Sequence, residues 1–203
     1  MNIQIKISNK RVPYIKAMKY MEKRVNDIKL GKGKELLWIL EHPTTYTAGI
    51  RSRKDEILDK KIKVLRTNRG GKITVHNPGQ KIIYFVINLN NKKKDIRNLI
   101  NIIEKSIIQF LKKYQINSNA DKKKIGIWVK NKKIAAIGVR VSKWIAYHGC
   151  SININNNLNK YQKIIPCGLD NNKVTSIKNQ TNKKLININK NLKEIFLKNF
   201  KSI

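Results

Sequence analysis

Thiols, prolines, glycines and carboxylates are all scarce in this chain, and each scarcity narrows what it can be. Two cysteines in 203 residues, Cys150 and Cys167, are too few for a disulfide framework. No apolar run approaches the roughly 20 residues that span a bilayer. The N-terminal MNIQIKISNKR alternates apolar and polar residues and has no apolar h-region of a secretory signal. The chain therefore reads as cytoplasmic, with no membrane partner. Zinc-finger spacing, an arginine-rich arm and an RNP-like aromatic motif are missing too. Carboxylates number 12 against 45 Lys and Arg, which leaves a net charge of +33.

That charge admits two readings. Basic surface neutralises phosphates, so an RNA-binding protein is one of them. The basic residues are mostly Lys, however, and they run along the whole chain. Lys, Asn and Ile are together favoured by AT-rich coding, so compositional drift accounts for the charge better than specific nucleic-acid recognition does. Under either reading acidic protein partners are attracted, and faster at low salt.

What is present suits one compact domain over 1–203, with 40% hydrophobic residues to fill a core. Residues 3–7 alternate as a strand. Tyr14, Ile15, Met18, Met21, Val25 and Ile28 recur at helical spacing, which predicts a helix over 13–30 stopped near Gly31. ELLWILEHP is a buried strand ending at Pro43, and TTYTAG after it reads as a loop. IIYFVINL (82–89) is a second buried strand. Ile96 to Leu111 is a strongly amphipathic helix. Residues 125–141 read as two strands about a turn at Asn131, WIAYHGCSINI continues the sheet, and Leu192, Ile195, Phe196 and Phe200 mark a last helix. The Asn-rich patches 153–159 and 179–191 read as loops. Hairpins mixed with helices make the class α+β, or mixed α/β.

The scarce residues are not scattered. NRGGKITVHNPGQ (68–80) alone holds three of the ten glycines, one of four prolines and one of three histidines. HPTTYTAG, KKIAAIG, the His148–Gly149 pair and IPCGLD collect the rest, apart from Gly31, Gly33, Gly126 and Pro13. Glycine lets a ligand or a second chain approach the backbone, and proline stiffens a turn. The stretch 68–80 therefore reads as a shaped, basic binding loop between strands. Cys167, between Pro166 and Gly168, is a thiol on a tight loop. It becomes a nucleophile only as thiolate, with a cation or helix N-terminus nearby. Residue spacing alone does not name that cation, because lysines are everywhere.

RGGKITVHNPGQKIIYFVINL resembles the RGGxxTyHGPGQ…Y…L signature of the lipoyl(octanoyl) transferases. KKIAAIGVRVSKWIAYHGCSININ resembles that family's KIAxxGvRv…HGxAxN segment, and IPCGL its PCG segment. The resemblance covers about residues 10–178, with the three motifs in order. It implies a fold like that of biotin and lipoate protein ligases, a mixed sheet backed by helices. It implies transfer of an octanoyl or lipoyl group from octanoyl-acyl carrier protein to a lysine of lipoyl domains, those of 2-oxoacid dehydrogenase complexes and of glycine cleavage H protein. No metal or other cofactor enters, and no ATP, because one thioester is exchanged for another.

The family's cysteine and lysine map onto Cys167, which carries the acyl group, and Lys133, which lowers the thiol's pKa and passes protons. Its acyl-binding segments map onto Arg69, Gly70, Gly71, Lys72, Ile73, Thr74, Val75 and His76, then Ala136, Ile137 and Gly138, then Gly149, Cys150 and Ser151. Lys132 is a rival to Lys133, but strand alternation turns it to the opposite face. The chain departs from the pattern in four places. Val75 stands for Tyr, Cys150 for an apolar residue and Ser151 for Ala. Asn77 stands for Gly, and since Asn best tolerates positive φ the turn is expected to keep its shape. Within the superfamily the alternative is an ATP-dependent lipoate ligase, which needs no nucleophilic cysteine.

Overall fold

The computed structural model describes residues 3–121, 124–166 and 173–203. Its backbone is a seven-stranded sheet in the order β1-β2-β6-β10-β9-β8-β7, made of β1 (Ile3–Ile7), β2 (Glu35–Leu40), β6 (Gln80–Asn88), β7 (Asn119–Ala120), β8 (Ile127–Val129), β9 (Lys132–Ser142) and β10 (Ile145–Asn153). Among the described strands of this sheet, only the β1–β2 pair is parallel. Alternation splits the sheet's side chains cleanly. Leu37, Ile39, Ile83, Phe85 and Ile87 face α2 (Ile96–Lys112) and α3 (Ile188–Phe200). Leu36, Trp38, Leu40, Ile82, Tyr84 and Val86 face α1 (Tyr14–Lys29), which meets them with Ala17, Met21, Val25 and Ile28. A run such as ELLWIL is apolar at nearly every position because both faces are covered.

The helices follow their sequence cues. In α2, Leu99, Ile102, Ile103, Ile107, Phe110 and Leu111 form one buried stripe. Asp95 caps it, its carboxylate accepting from the Asn98 N–H at 2.9 Å. Helix α3 lies on α2 and adds a polar clasp, with Asn199 Nδ2 donating to Ser106 Oγ at 2.9 Å and to Gln109 Oε1 at 2.8 Å.

Two segments expected as loops are strands. TTYTAG holds β3 (Thr45–Ala48), and the glycine-rich stretch 68–80 holds β5 (Ile73–His76). With β4 (Val64–Arg66) they form a second sheet, β4-β3-β5. Four-residue runs hemmed by Pro and Gly look like punctuation, but Thr, Tyr, Val and Ile within them fit a pleated surface. Tyr46, Ile73 and Val75 bury together with Tyr161 and Ile164 behind this sheet. Of the Asn-rich stretches, Asn153 ends β10, Leu158–Lys163 is a 3-10 turn, and α3 begins inside the second patch. Asn77 does not take a positive φ; Gly79 does, at 86°. Asn77 holds its turn by its side chain, which donates to the Asn157 carbonyl at 2.9 Å and accepts from Asn156 Nδ2 at 3.0 Å.

Candidate functional site

A cavity of about 290 Å³ opens between the large sheet and the small one. Its walls come from β6, β9 and β10 on one side and from β5 and the Arg69–Lys72 loop on the other. Two glycines, Gly138 and Gly149, sit opposite each other in register on β9 and β10. They leave the sheet bare of side chains there. Gly70 lets the loop close onto β9, since a Cβ on it would lie 2.7 Å from the Val139 carbonyl oxygen. Gly149 has φ +155°, and a Cβ there would lie 1.9 Å from the Ile83 carbonyl oxygen.

Most residues singled out in the sequence border this cavity: Arg69, Gly70, Gly71, Lys72, Thr74, His76, Ala136, Ile137, Gly138, Gly149, Cys150 and Ser151. Ile73 and Val75 do not. Strand alternation turns Thr74 and His76 inward and sends Ile73 and Val75 to the small sheet's own core. Ile137 and Cys150 pair with each other across β9 and β10 and pack toward α2 and α3. Arg69 is buried and committed to β3. Its guanidinium donates to the Thr47 carbonyl at 2.7 Å and to Thr47 Oγ1 at 3.0 and 3.2 Å, so it clips the loop to the small sheet. Lys72 pairs with the buried Glu56 carboxylate at 2.8 Å. The sequence reading left out Tyr84 and Ile82 on the wall, and Arg51 and Ile125, both exposed, at the rim.

All three histidines converge beneath the cavity with Tyr14 and Tyr84. His42 Nδ1–H donates to the Val12 carbonyl at 2.6 Å, so its Nε2 accepts from the Tyr84 hydroxyl at 2.9 Å. Gln80 Nε2 donates to Asn153 Oδ1 at 2.9 Å, which leaves Gln80 Oε1 to accept from His76 Nδ1–H at 2.8 Å. Burial lowers the three pKa values, to about 4 for His42 and about 3 for His76 and His148. His76 is further opposed by His42 and Arg69, and His148 by Arg69 and Arg140. All three are therefore neutral near pH 7. The unfolded chain protonates them near 6.5 and the folded chain does not, so between those values the unfolded state binds more protons. Stability should be full above about pH 6.5 and should fall as pH drops, by about 1.4 kcal/mol per pH unit for each histidine. Urea unfolding at pH 7, 6 and 5, above the carboxylate range, reads this slope. A flat profile would mean the histidines are not buried neutral.

Lys133 and Lys132 separate as alternation requires: Lys132 is exposed and Lys133 is 8% exposed. The Lys133 ammonium lies 5.4 Å from the centroid of the Trp128 ring, a cation–π distance. Gly126, passed over in the sequence, makes room for it: a Cβ there would meet Lys133 Cε at 2.4 Å. No sequence signal could have found Gly126, because β8 and β9 meet it only after folding. Cys150 is 4% exposed among apolar residues. Burial pushes its thiol well above the ordinary value, which disfavours a thiolate there.

Cys167 lies outside the described residues. Its flanks do not. Pro166 and Val174 wall a second, smaller cavity together with Lys133. The Lys133 N–H donates to the Lys173 carbonyl at 2.7 Å, and Thr175 N–H donates to the Lys133 carbonyl at 2.9 Å. The C-terminal flank of the segment that carries Cys167 is thus fixed at Lys133, while the N-terminal flank is held at Glu56, whose carbonyl accepts from the Ile165 N–H at 2.8 Å, and Pro166 borders the same cavity as Lys133. Among the described residues no group of three or more His, Cys, Asp or Glu is placed to hold a metal ion, and no helix is long and apolar enough to cross a membrane.

The model of the family described as lipoyl protein ligase A/B catalytic domain matches residues 13–201. An octanoyltransferase of Wolbachia sp. subsp. Brugia malayi (strain TRS) is 44% identical over 177 residues, 85% of this chain and 86% of that protein. An octanoyltransferase of Bartonella tribocorum (strain CIP 105476 / IBS 506) is 41% identical over 191 residues, 87% of this chain and 78% of that protein. In three dimensions, the bi-partite lipoate protein ligase of Thermoplasma acidophilum, solved in an archaeal lipoylation system with its E2 lipoyl domain, matches with a TM-score of 0.74 at 13% identity. That match covers 99% of this chain and 84% of the ligase chain, and at such identity it concerns the fold alone.

Proposed function

The chain belongs to the lipoyl protein ligase A/B catalytic domain family, and on that premise we propose how it carries out octanoyl transfer in protein lipoylation. It is an acyltransferase that takes an acyl donor and a lipoyl-domain acceptor. The acyl chain occupies the cavity between the sheets, and Cys167 carries the acyl group as a thioester beside Lys133. The observation that supports this most strongly is that Lys173 and Thr175, which follow Cys167, are hydrogen-bonded to the Lys133 backbone, while Pro166, which precedes it, borders the same cavity as Lys133. The donor is octanoyl-acyl carrier protein. The acceptors are lipoyl domains of 2-oxoacid dehydrogenase complexes and glycine cleavage H protein. The whole of 1–203 acts as one catalytic domain.

The transfer runs in two balanced halves. Cys167 starts as a thiolate paired with the Lys133 ammonium, and the thiolate attacks the carbonyl carbon of the donor thioester. The donor's C–S bond breaks, and its departing thiolate takes the ammonium proton of Lys133. The amine of the acceptor lysine then attacks the acyl-cysteine. Its surplus proton passes to the Lys133 amine, and Cys167 leaves as thiolate. One thioester replaces another and an amide replaces that, so no ATP is consumed.

Ala136 tests the cavity's role. It borders both cavities and faces Ser151 in register. Ala136→Leu fills space that the chain would occupy. Each methylene kept out of an apolar site loses about 0.8 kcal/mol, so losing room for two is worth about tenfold in octanoyl selectivity. Octanoyl transfer should fall by that factor relative to butanoyl transfer. An unchanged preference would place the chain elsewhere.

A further inference from the structure

Among the described residues, two hydroxyls near Lys133 have no hydrogen-bond partner. Ser151 and Thr74 are 7% and 8% exposed, and among the described residues neither side chain makes a hydrogen bond. Neither oxygen is among the fully buried orphans of the described residues, so each is open to a group that enters the cavity. The two come from opposite walls. Ser151 lies on β10 between Ala136 and Ile82 in register, and Thr74 lies on β5 of the small sheet.

Both border the acyl cavity and also the smaller one, of about 20 Å³. That is room for one water-sized group and no more. Lys133 and Pro166 are also in its wall, with Ala135, Asn153, Tyr161 and Val174 beside them, and Pro166 immediately precedes Cys167. Among the described residues no carboxylate borders either cavity. A space the size of one oxygen, walled by two hydroxyl-bearing residues and a lysine, suits negative charge.

We propose that Ser151 and Thr74 form, with Lys133, the oxyanion site of the transfer. When the thiolate attacks, the C=O π pair moves onto oxygen, and the two hydroxyls donate to that oxygen until the pair returns and the C–S bond breaks. The same site serves the second half, when the acceptor amine attacks. The resembling family more often has Ala at position 151, so Thr74 and Lys133 supply its common part and Ser151 is this chain's own addition. The inference rests on the thioester reading above.

Four variants test it: Ser151→Ala and Thr74→Val remove the hydroxyls, and Ser151→Thr and Thr74→Ser restore them. Steady-state transfer is measured from an octanoyl-loaded carrier protein, with thermal unfolding and the pH midpoint of Cys167 alkylation alongside. Each removal should lower kcat by about 10²-fold with KM nearly unchanged. The alkylation midpoint should stay at the wild-type value, because the thiolate is not what these groups stabilise. The restoring variants should recover most of kcat. A kcat within twofold of wild type, or a loss confined to KM or to thermal stability, overturns the proposal. If wild type acquires no hydroxylamine-sensitive octanoyl group on Cys167, the thioester reading fails and takes this site with it.

Discussion

Replacing Lys133 by Met should slow octanoyl transfer by about 10²- to 10⁴-fold, the range for removing a group that moves protons in the transition state. It should also raise the pH midpoint of Cys167 alkylation, because a thiol loses its proton less readily without a cation beside it. The fold should survive. Met keeps an unbranched side chain over Trp128, and the Lys133 backbone keeps its bonds to Lys173 and Thr175. Lys132→Met is the matched control. It changes the same charge on the same strand, but on the exposed face, and it should leave rate and midpoint alone. Equal effects at both positions would show that bulk positive charge acts, and Lys133 would leave the mechanism.

Gly149→Ala should be the most damaging small substitution in the cavity wall. Its added Cβ would sit 1.9 Å from the Ile83 carbonyl oxygen, 3.0 Å from the Ile83 carbonyl carbon and 3.2 Å from Tyr84 Cα. All three are backbone atoms of β6, the strand that pairs with β10 in the centre of the sheet, so nothing flexible can move aside. The left-handed φ of +155° adds strain of its own. Together these should cost about 3 kcal/mol or more, which for a chain of this size lowers Tm by about 6–12 °C. Gly31→Ala separates the two causes, since Gly31 has φ +70° but nothing within 4 Å of its Cβ position. That variant should lose only about 1 kcal/mol. Equal losses in urea unfolding would mean that β6 and β10 do not approach as closely as described.

The long elements were legible because burial imprints periodicity on them. The α2 stripe and the alternating faces of β2 and β6 can be read directly from Ile, Leu and Phe spacing. The small sheet was not legible, because β3 and β5 are four residues long and lie among the residues that mark turns. Its signal is β-branched and aromatic content, too brief to form a period. Strands β9 and β10 were both legible, but the turn that joins them carries no signal in the sequence. That two-residue turn, Lys143–Trp144, takes positive φ at both positions, 49° and 61°, without the Gly or Asn that normally announces it. At the site, glycine and proline scarcity located the loop and both cavity-facing strands. It could not separate Thr74 and His76 from Ile73 and Val75 until β5 was known to be a strand. Gly126 makes room for Lys133, and Trp128 both lies under it and lines the cavity, contacts that exist in the fold and have no local trace.

The charge of +33 bears on this chemistry without defining it. Few carboxylates leave the cavity walls without one among the described residues, which suits a thiolate and an oxyanion. On the proposed reading it would also draw acidic carrier domains toward the rim, where Arg51 is exposed. Nonspecific RNA binding would follow from the same charge, so its presence decides nothing about the transfer.

Intact-protein mass spectrometry after incubation with octanoyl-acyl carrier protein tests the central claim most directly. Wild type should gain one octanoyl group that hydroxylamine removes, mapped to Cys167, and should lose it on addition of a lipoyl domain. Cys167→Ser should gain no hydroxylamine-sensitive group. A labile octanoyl group that persists in Cys167→Ser and maps to Cys150 would contradict the account, as would transfer to a lipoyl domain that proceeds only with ATP and leaves Cys167 unmodified.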